Sequence, residues 1–231
     1  MPLSPSLKKI PILRKLHSRI NKNKLKLILM CEDIETVIEF GGVWKAEMAY
    51  LKNALKKAKI GIEVDNIKPK KIPSNISYIQ GDFRDPKLLG KLKPADLVIL
   101  FDIILHQYDA LSAFDKLVNK SKKYVAFNQP VFETPKSPIP NSMFFLPGRD
   151  YSVYETPITK LKSFRIEKVS DFGKEGFYNP NKWYWAMSSE LIKTWFEFLG
   201  FNIIYENEEP VDLWNGWKRW GCLAKRENNL Y

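Results

Sequence analysis

The sequence predicts an α/β fold built around a parallel β-sheet. Four short runs rich in β-branched residues, 36–40, 60–64, 76–80 and 96–101, alternate with segments of helical periodicity. This alternation is typical of parallel strands that are buried on both faces. Each run also carries an acidic residue at its carboxyl end or within two residues after it. Because ligands of such sheets bind beyond the carboxyl ends of the strands, we expect one crevice lined by carboxylates.

The remaining elements follow from periodicity and from capping residues. They are a helix over 45–59 with an apolar stripe and lysines facing water, a short helix over 86–91, a helix over 109–121, a fifth strand over 124–127, a helix over 188–199 closed by Gly200, and two closing antiparallel strands over 201–205 and 217–225. No period survives in the proline-rich stretch 133–182. We expect an inserted lid or substrate-binding segment there, with 133–186 forming the pocket for a substrate.

Composition limits the class of protein. With 231 residues and 45% hydrophobic content, the chain is long enough to bury one substantial core. It contains no run of eighteen apolar residues for a transmembrane helix, and the apolar run 27–30 is too short for a signal peptide. The two cysteines make neither a disulfide framework nor a zinc site. The expectation is a reduced, cytoplasmic protein.

Positive charge is concentrated at the N-terminus. Of the net charge of +11, residues 1–30 carry eight lysines and arginines and no acid, which leaves the body at +3. We predict a basic helical extension over 1–30 and a single domain over 31–231. The extension could contact RNA phosphates or an anionic membrane surface. Alternatively, it docks on the body through apolar residues spaced by three and four, namely Leu7, Ile10, Leu13, Leu16 and Ile20.

The turn after the first strand argues against a dinucleotide. Gly41 and Gly42 are followed by Val43, Trp44 and Lys45, so the G-x-G-x-x-G pattern that closes on a pyrophosphate is missing. No phosphate-binding G-x-x-x-x-G-K-[ST] loop occurs either. The turn instead permits one close approach of a ligand to the backbone.

The acidic residues suit a ligand that is cationic and rich in hydroxyl and amino groups. Asp65 is placed to accept hydrogen bonds from a ribose diol, and Asp82 from an exocyclic amine, with Phe83 against a purine ring. Glu39 and Asp102 can hold an ammonium group. S-adenosylmethionine carries all of these features. Any one of these acids could equally cap a helix or a turn.

Residues 36–130 resemble the core of class I S-adenosylmethionine-dependent methyltransferases. The matching motifs are Glu39-Phe40-Gly41-Gly42, Glu63-Val64-Asp65, Gly81-Asp82-Phe83 and the strand from Ala95 to Asp102. The pair Leu105-His106, which follows this strand, is similar to the same position in bacterial methyltransferases that act on sugars, small metabolites or the wobble uridine of transfer RNA. The resemblance implies a Rossmann-like seven-stranded sheet with helices on both faces and an insert after strand five. It also implies S-adenosylmethionine as the cofactor.

Methyl transfer requires an aligned acceptor and, for a hydroxyl acceptor, a base. His106 is the one histidine near the crevice, so we predict that it acts as the base or orients the acceptor; alternatively, it packs on the start of a helix. Asn128 and Gln129 either bind the acceptor or satisfy backbone groups around the following proline. Trp183 and Trp185 are candidates for the wall of the acceptor pocket.

The sequence therefore predicts an enzyme, a methyltransferase acting on a small molecule or glycan, with oxygen as the methylated atom. Two alternatives stay open. The basic arm favours a transfer RNA-modifying methyltransferase, and the departure at Val43-Trp44-Lys45 favours a non-catalytic binding module with the same fold. No cluster of histidine, cysteine and aspartate has the spacing of metal ligands, so no metal is expected.

Overall fold

The computed structural model describes residues 20–43, 48–107, 109–132, 143–146, 184–210 and 217–227. The strands are β1 (Thr36–Phe40), β2 (Ile60–Asp65), β3 (Ile76–Gln80), β4 (Ala95–Phe101), β5 (Ser121–Phe132), β6 (Met143–Leu146), β7 (Tyr184–Met187), β8 (Phe201–Pro210) and β9 (Trp217–Arg226). The helices are α1 (Lys22–Leu29), α2 (Ala49–Ala54), α3 (Pro86–Lys91), α4 (Ala110–Val118) and α5 (Ser189–Phe198), with a 3-10 turn over Ile104–His106. No helix in these ranges is long and apolar enough to cross a membrane.

Seven strands form one mixed sheet in the order β3-β2-β1-β4-β5-β9-β8. Strands β1 to β5 pair with one another in parallel, and β9 lies antiparallel between β5 and β8. The predicted fold class and the closing antiparallel pair are confirmed. Strand β5 is longer than the predicted 124–127 because it pairs with β4 along its first part and with β9 as far as Phe132.

Helices cover both faces of the sheet, as predicted. Along β4, Leu97 and Ile99 point into the layer formed with α1 and α2, while Val98 and Leu100 point into the layer formed with α4 and α5. This alternation with a period of two explains why a strand buried on both sides is apolar throughout. The carboxyl ends of β1, β2, β3, β4 and β5 consequently meet at one edge between the two helical layers.

Helix α1 is packed into the body. Leu27 and Ile28 have no exposed surface, and both belong to the core layer that includes α2. The side chain of Asn21 caps the helix by accepting from the N–H of Asn23 and Lys24. The Lys57 ammonium, expected to face water, donates to carbonyls at the other end of α1. Of the apolar residues expected to dock the extension, only Ile20 lies in the described ranges, and it is 37% exposed.

Helix α2 is shorter than the predicted 45–59. Residues 44–47 lie outside the described ranges, and the helix ends at Ala54. The N–H groups of Lys59 and Ile60 donate to Glu35 O at 2.8 and 3.0 Å, which begins the pairing of β2 with β1. The chain must leave the helix early to reach that register.

In the predicted irregular insert, residues 143–146 form β6, which pairs antiparallel with β7. The apolar run Met143–Leu146 was the sequence signal for this strand that we missed.

Candidate active site

The turn after β1 is built around two glycines. Gly41 has a φ of +70°, a left-handed conformation that glycine adopts without strain, and its N–H donates to Val64 O at 2.9 Å. A Cβ on Gly42 would lie 2.6 Å from Glu39 Oε2 and 2.8 Å from Glu63 Oε2. Glycine is therefore required at position 42 for the two carboxyl groups to lie directly beneath the turn.

Glu39 and Glu63 form a buried carboxyl pair at this turn. They are opposite each other in the register of β1 and β2, and they are 2% and 0% exposed. Glu39 Oε2 accepts from the Leu51 N–H at 3.1 Å, and Glu63 Oε1 accepts from the Gly42 N–H at 2.7 Å. Burial, followed by the charge of Glu39, raises the pKa of Glu63 far above its ordinary value. Glu63 therefore keeps its proton at neutral pH and shares it with Glu39.

Asp65 extends this acidic group to the end of β2. Its side chain accepts from the Val43 N–H at 3.2 Å and from the Ile67 N–H at 3.0 Å. Burial raises the pKa of Asp65, and these backbone hydrogen bonds oppose the shift. Glu39, Glu63 and Asp65 together form what we call the acidic floor, which lies beneath the glycine turn.

Asp82 and Phe83 lie at the rim of the crevice, after β3. The Asp82 side chain is 44% exposed and pairs with Arg84 at 2.5 Å, and this pairing lowers the pKa of Asp82. Phe83 is half-buried, and its ring meets the Phe40 ring edge-on at 5.9 Å between centroids. Phe83 thus provides an apolar surface near the acidic floor on which a flat ring could lie.

Asp102, which the sequence predicts as a partner for a ligand's ammonium group, is paired with cations of the chain itself. Directly after β4, it has a left-handed φ of +52°, and its N–H donates to Asn128 O at 2.7 Å. Asp102 Oδ2 accepts from Lys24 Nζ at 2.5 Å, and Oδ1 accepts from Arg219 Nη1. Two of the chain's own cations thus occupy the carboxylate that we had assigned to a ligand's ammonium group.

The predicted acceptor residues are only partly brought together. Asn128 Oδ1 accepts from Arg219 Nη1 at 3.0 Å, whereas Gln129 Oε1 accepts from the Leu105 N–H at 3.3 Å. Successive side chains of a strand point to opposite faces, so these two amides do not form one site. Gln129 instead holds the backbone of the 3-10 turn.

His106 ends the 3-10 turn that follows β4, and it is half-buried. The turn contacts β7, the strand of Trp185, whose half-buried side chain packs against the core. The structure therefore brings the His106 segment and the Trp185 strand together at the β4 end of the crevice. Trp183 lies outside the described residues.

Sequence reasoning assigned no role to three residues that the structure places at the crevice. Glu63 stood in a matched motif, and its register opposite Glu39 was the usable signal. Lys24 lies among many lysines of the basic segment, and nothing in the sequence distinguishes it. Arg219 shares a face of β9 with Gly221, but its neighbours on β5 become evident only from the strand order.

Among the described residues, no group of three histidines, cysteines or acids could hold a metal ion.

Comparison with known proteins identifies the fold. Neither a protein-family model nor a curated protein sequence matches the chain. Solved structures do match it along nearly its full length. The 1,6-didemethyltoxoflavin-N1-methyltransferase of Burkholderia thailandensis, solved with 1,6-didemethyltoxoflavin and S-adenosylhomocysteine, gives a TM-score of 0.59 at 9% identity, with 96% of this chain and 84% of that chain covered.

Two further structures agree. Magnesium protoporphyrin IX methyltransferase of Synechocystis PCC 6803, solved with S-adenosylhomocysteine, gives a TM-score of 0.53 at 12% identity, covering 98% of this chain and 90% of that one. A putative S-adenosylmethionine-dependent methyltransferase of Listeria monocytogenes gives 0.55 at 12% identity, covering 90% and 100%. The chain has the methyltransferase fold. In this methyltransferase fold, the glycine turn and the acidic floor lie at the carboxyl edge of the sheet, beside the junction of β1 and β4.

Proposed function

We propose that this protein is an S-adenosylmethionine-dependent methyltransferase that acts on a small-molecule acceptor. The observation that carries the proposal is the acidic floor beneath the Gly41-Gly42 turn, at the edge of a sheet with the methyltransferase fold. The likeness to structures solved with S-adenosylhomocysteine supports the same cofactor.

The residues of the crevice fit this donor. Gly42 has no side chain, and a Cβ there would enter the space of the buried carboxyl pair that supports the turn. Asp65 can accept from a ribose diol, Asp82 from an adenine amine, and Phe83 offers an apolar surface to the ring. When bound, the cofactor supplies an electrophilic methyl group on a sulfonium. The protein's part is to orient the acceptor and exclude water.

The ordered turn argues against a degenerate binding module. Val43 replaces the glycine that the family usually has, yet its N–H donates to Asp65 Oδ2 at 3.2 Å. Although Val43 departs from the family pattern, its backbone still ties the turn to the acidic floor. We therefore propose a donor site that is intact, with oxygen of the acceptor as the nucleophile and His106 as its base or its orienting residue.

Calorimetry with S-adenosylmethionine and S-adenosylhomocysteine tests the donor site, with Gly42→Ala and Gly90→Ala as a matched pair. A Cβ at Gly90 meets no atom within 4 Å, so this control changes the same group where nothing is displaced. We expect the wild type and Gly90→Ala to bind both compounds and Gly42→Ala to bind at least about tenfold more weakly, since overpacking costs on the order of 1–3 kcal/mol. Absence of binding to the wild type would remove the proposed function.

The role of His106 is tested in the reaction itself. The acceptor can be sought by incubating the protein with isotope-labelled donor and a cell extract, followed by mass spectrometry of methylated products. With that acceptor, His106→Asn should lower kcat by about a hundredfold, the usual contribution of a general base, with the affinity for S-adenosylhomocysteine unchanged. A kcat close to that of the wild type would exclude His106 as the base.

A further inference from the structure

Strand β5 holds the segment that carries His106 at two points. The Asp102 N–H donates to Asn128 O at 2.7 Å, and the Leu105 N–H donates to Gln129 Oε1 at 3.3 Å. Two consecutive residues of β5 thus fix the chain from the end of β4 to the residue before His106. We propose that Gln129 is a positioning residue for His106, because its side-chain oxygen sets the path of the 3-10 turn. This inference rests on the proposed function, in which His106 acts on the methyl acceptor.

The 3-10 turn needs support from outside because it is short. It spans only Ile104–His106, and its hydrogen bonds, such as the one from the His106 N–H to Ile103 O at 3.1 Å, have poorer geometry than those of an α-helix. Asp102, which begins the segment, has a left-handed φ of +52° that non-glycine residues rarely adopt. Such a backbone persists only where the surrounding contacts determine it. The two hydrogen bonds from β5 are among these contacts.

Gln129 is completely buried, and its amide is fixed in one orientation. The Leu105 N–H can be met only by an acceptor, so Oε1 rather than Nε2 must lie on its side. Because Leu105 is buried as well, loss of this oxygen would leave its N–H without an acceptor. The turn would then have to shift to satisfy that group, and a shift at Leu105 moves the next residue, His106.

Stability alone does not account for a glutamine at position 129. The side chain satisfies the Leu105 N–H, but its own Nε2 is buried and has no hydrogen-bond acceptor among the described residues. The exchange of one unsatisfied N–H group for another brings little stability. Phe127 and Val131, the next residues on the same face of β5, are apolar and completely buried. A polar residue that breaks such a pattern without a gain in stability is typical of a functional site.

The competing explanation is that apolar packing alone holds the turn, since Ile104 and Leu105 are both almost completely buried. The two explanations differ in one measurable property, the order of the His106 side chain in a folded protein. Imidazole NMR signals report on this order directly. The chain contains only two histidines, so His17 in the N-terminal segment serves as an internal reference, and His106→Asn assigns the signals.

The experiment records these signals for the full-length protein saturated with S-adenosylhomocysteine. Gln129→Met keeps the length of the side chain and removes the oxygen, and Gln80→Met makes the same change at an exposed position on β3 as the matched control. We expect one set of His106 signals in the wild type and in Gln80→Met. In Gln129→Met the His106 signals should be displaced or doubled, while those of His17 stay unchanged. The melting temperature of Gln129→Met should stay within about 4 °C of the wild type.

The conservative variant is Gln129→Glu, which keeps an oxygen for the Leu105 N–H and should keep a single set of His106 signals. Once the acceptor is known, kinetics give a second readout. Gln129→Met should lower kcat by about tenfold or more, because a displaced group is no longer aligned with the reacting atoms. The KM for the acceptor and the affinity for S-adenosylhomocysteine should stay within about threefold, since the substitution removes no contact with either ligand.

If Gln129→Met does not fold, Gln129→Asn takes its place, because it keeps the amide but is one methylene too short to reach the Leu105 N–H. The inference is overturned if the folded variant retains the His106 signals of the wild type, or if Gln129→Glu loses them in the same way. It is also overturned if the wild type itself shows several sets of His106 signals. Failure of the wild type to bind S-adenosylhomocysteine is a separate result, since it removes the proposed function itself.

Discussion

At the residue scale, the charge of the acidic floor depends on the proton that Glu39 and Glu63 share. Two carboxyl groups that face each other across adjacent strands, both buried, cannot both ionise at modest cost. The Gly42 N–H stabilises one oxygen of Glu63, but burial outweighs this bond and keeps Glu63 protonated. Glu63 can therefore donate as well as accept a hydrogen bond. The sequence shows the acids but not this division of roles, which depends on the strand register.

Glu63→Gln should make the protein less sensitive to alkaline pH. In the unfolded chain Glu63 ionises near its ordinary pKa of 4.5, whereas the raised folded pKa keeps the proton on. Above pH 4.5 the unfolded chain thus binds fewer protons, so the free energy of unfolding of the wild type falls as pH rises toward the folded pKa. Glutamine imitates the protonated acid at every pH. Its stabilising effect should grow between about pH 5 and pH 8, by up to about 1.4 kcal/mol per pH unit.

Urea unfolding at several pH values measures this effect. Glu197→Gln, an exposed change on α5, is the control and should follow the wild type. Parallel pH profiles for Glu63→Gln and the wild type would show that Glu63 is ionised in the folded protein.

At the scale of elements, the strands were predictable, whereas the N-terminal helix was predicted only as part of a basic extension whose docking on the body was one of two alternatives. Buried parallel strands such as β4 are continuous apolar runs, so their positions follow from composition. Helix α1 carries Lys22, Lys24 and Lys26 among its eight residues, and such a charged segment does not indicate a helix that is buried in the core. Lys24 is 4% exposed because Asp102 neutralises it, a contact with a residue far away in sequence. Sheet order brings the two together, and no local pattern encodes it.

Leu27→Ala tests whether α1 is part of the folded core. Leu27 is completely buried, so its truncation should lower the free energy of unfolding by about 2–5 kcal/mol. Leu29 of the same helix is 44% exposed, and Leu29→Ala should cost less than about 0.5 kcal/mol beyond the change in helix propensity. Chemical denaturation of both variants gives the comparison. Equal, small losses would mean that α1 packs only loosely on the sheet.

At the scale of the whole molecule, the strand order brings residues that are distant in the sequence together at the carboxyl edge of the sheet. Residues from β1 and β2 supply the acids, while α1, β5 and β9 supply the partners of Asp102. The fold class could be predicted because it depends on repeated buried strands. The ion pairs of Asp102 could not, because they join residue 24 and residue 219 through strands that are adjacent only in the completed sheet.

Two truncations test where the folded body begins. The hydrogen bonds described between the N-terminal segment and the rest of the chain start at Asn21, so removal of residues 1–19 should preserve the melting temperature and the affinity for S-adenosylhomocysteine. Removal of residues 1–30 also deletes Lys24, Leu27 and Ile28, all buried, and should destabilise the protein strongly. Thermal melting and calorimetry distinguish the two outcomes. A stable protein lacking residues 1–30 would restore the boundary that the charge pattern suggested.

The shorter truncation also decides the transfer RNA alternative. It removes five lysines and arginines and lowers the formal net charge from +11 to +6. If the arm contacts RNA, the full-length chain should bind transfer RNA with an affinity that falls steeply with salt, and the truncated chain should lose most of that dependence, because each phosphate contact releases about one counterion. If the arm makes no such contact, the two chains should bind transfer RNA equally weakly. Equal salt dependence in the two chains would therefore exclude the transfer RNA alternative.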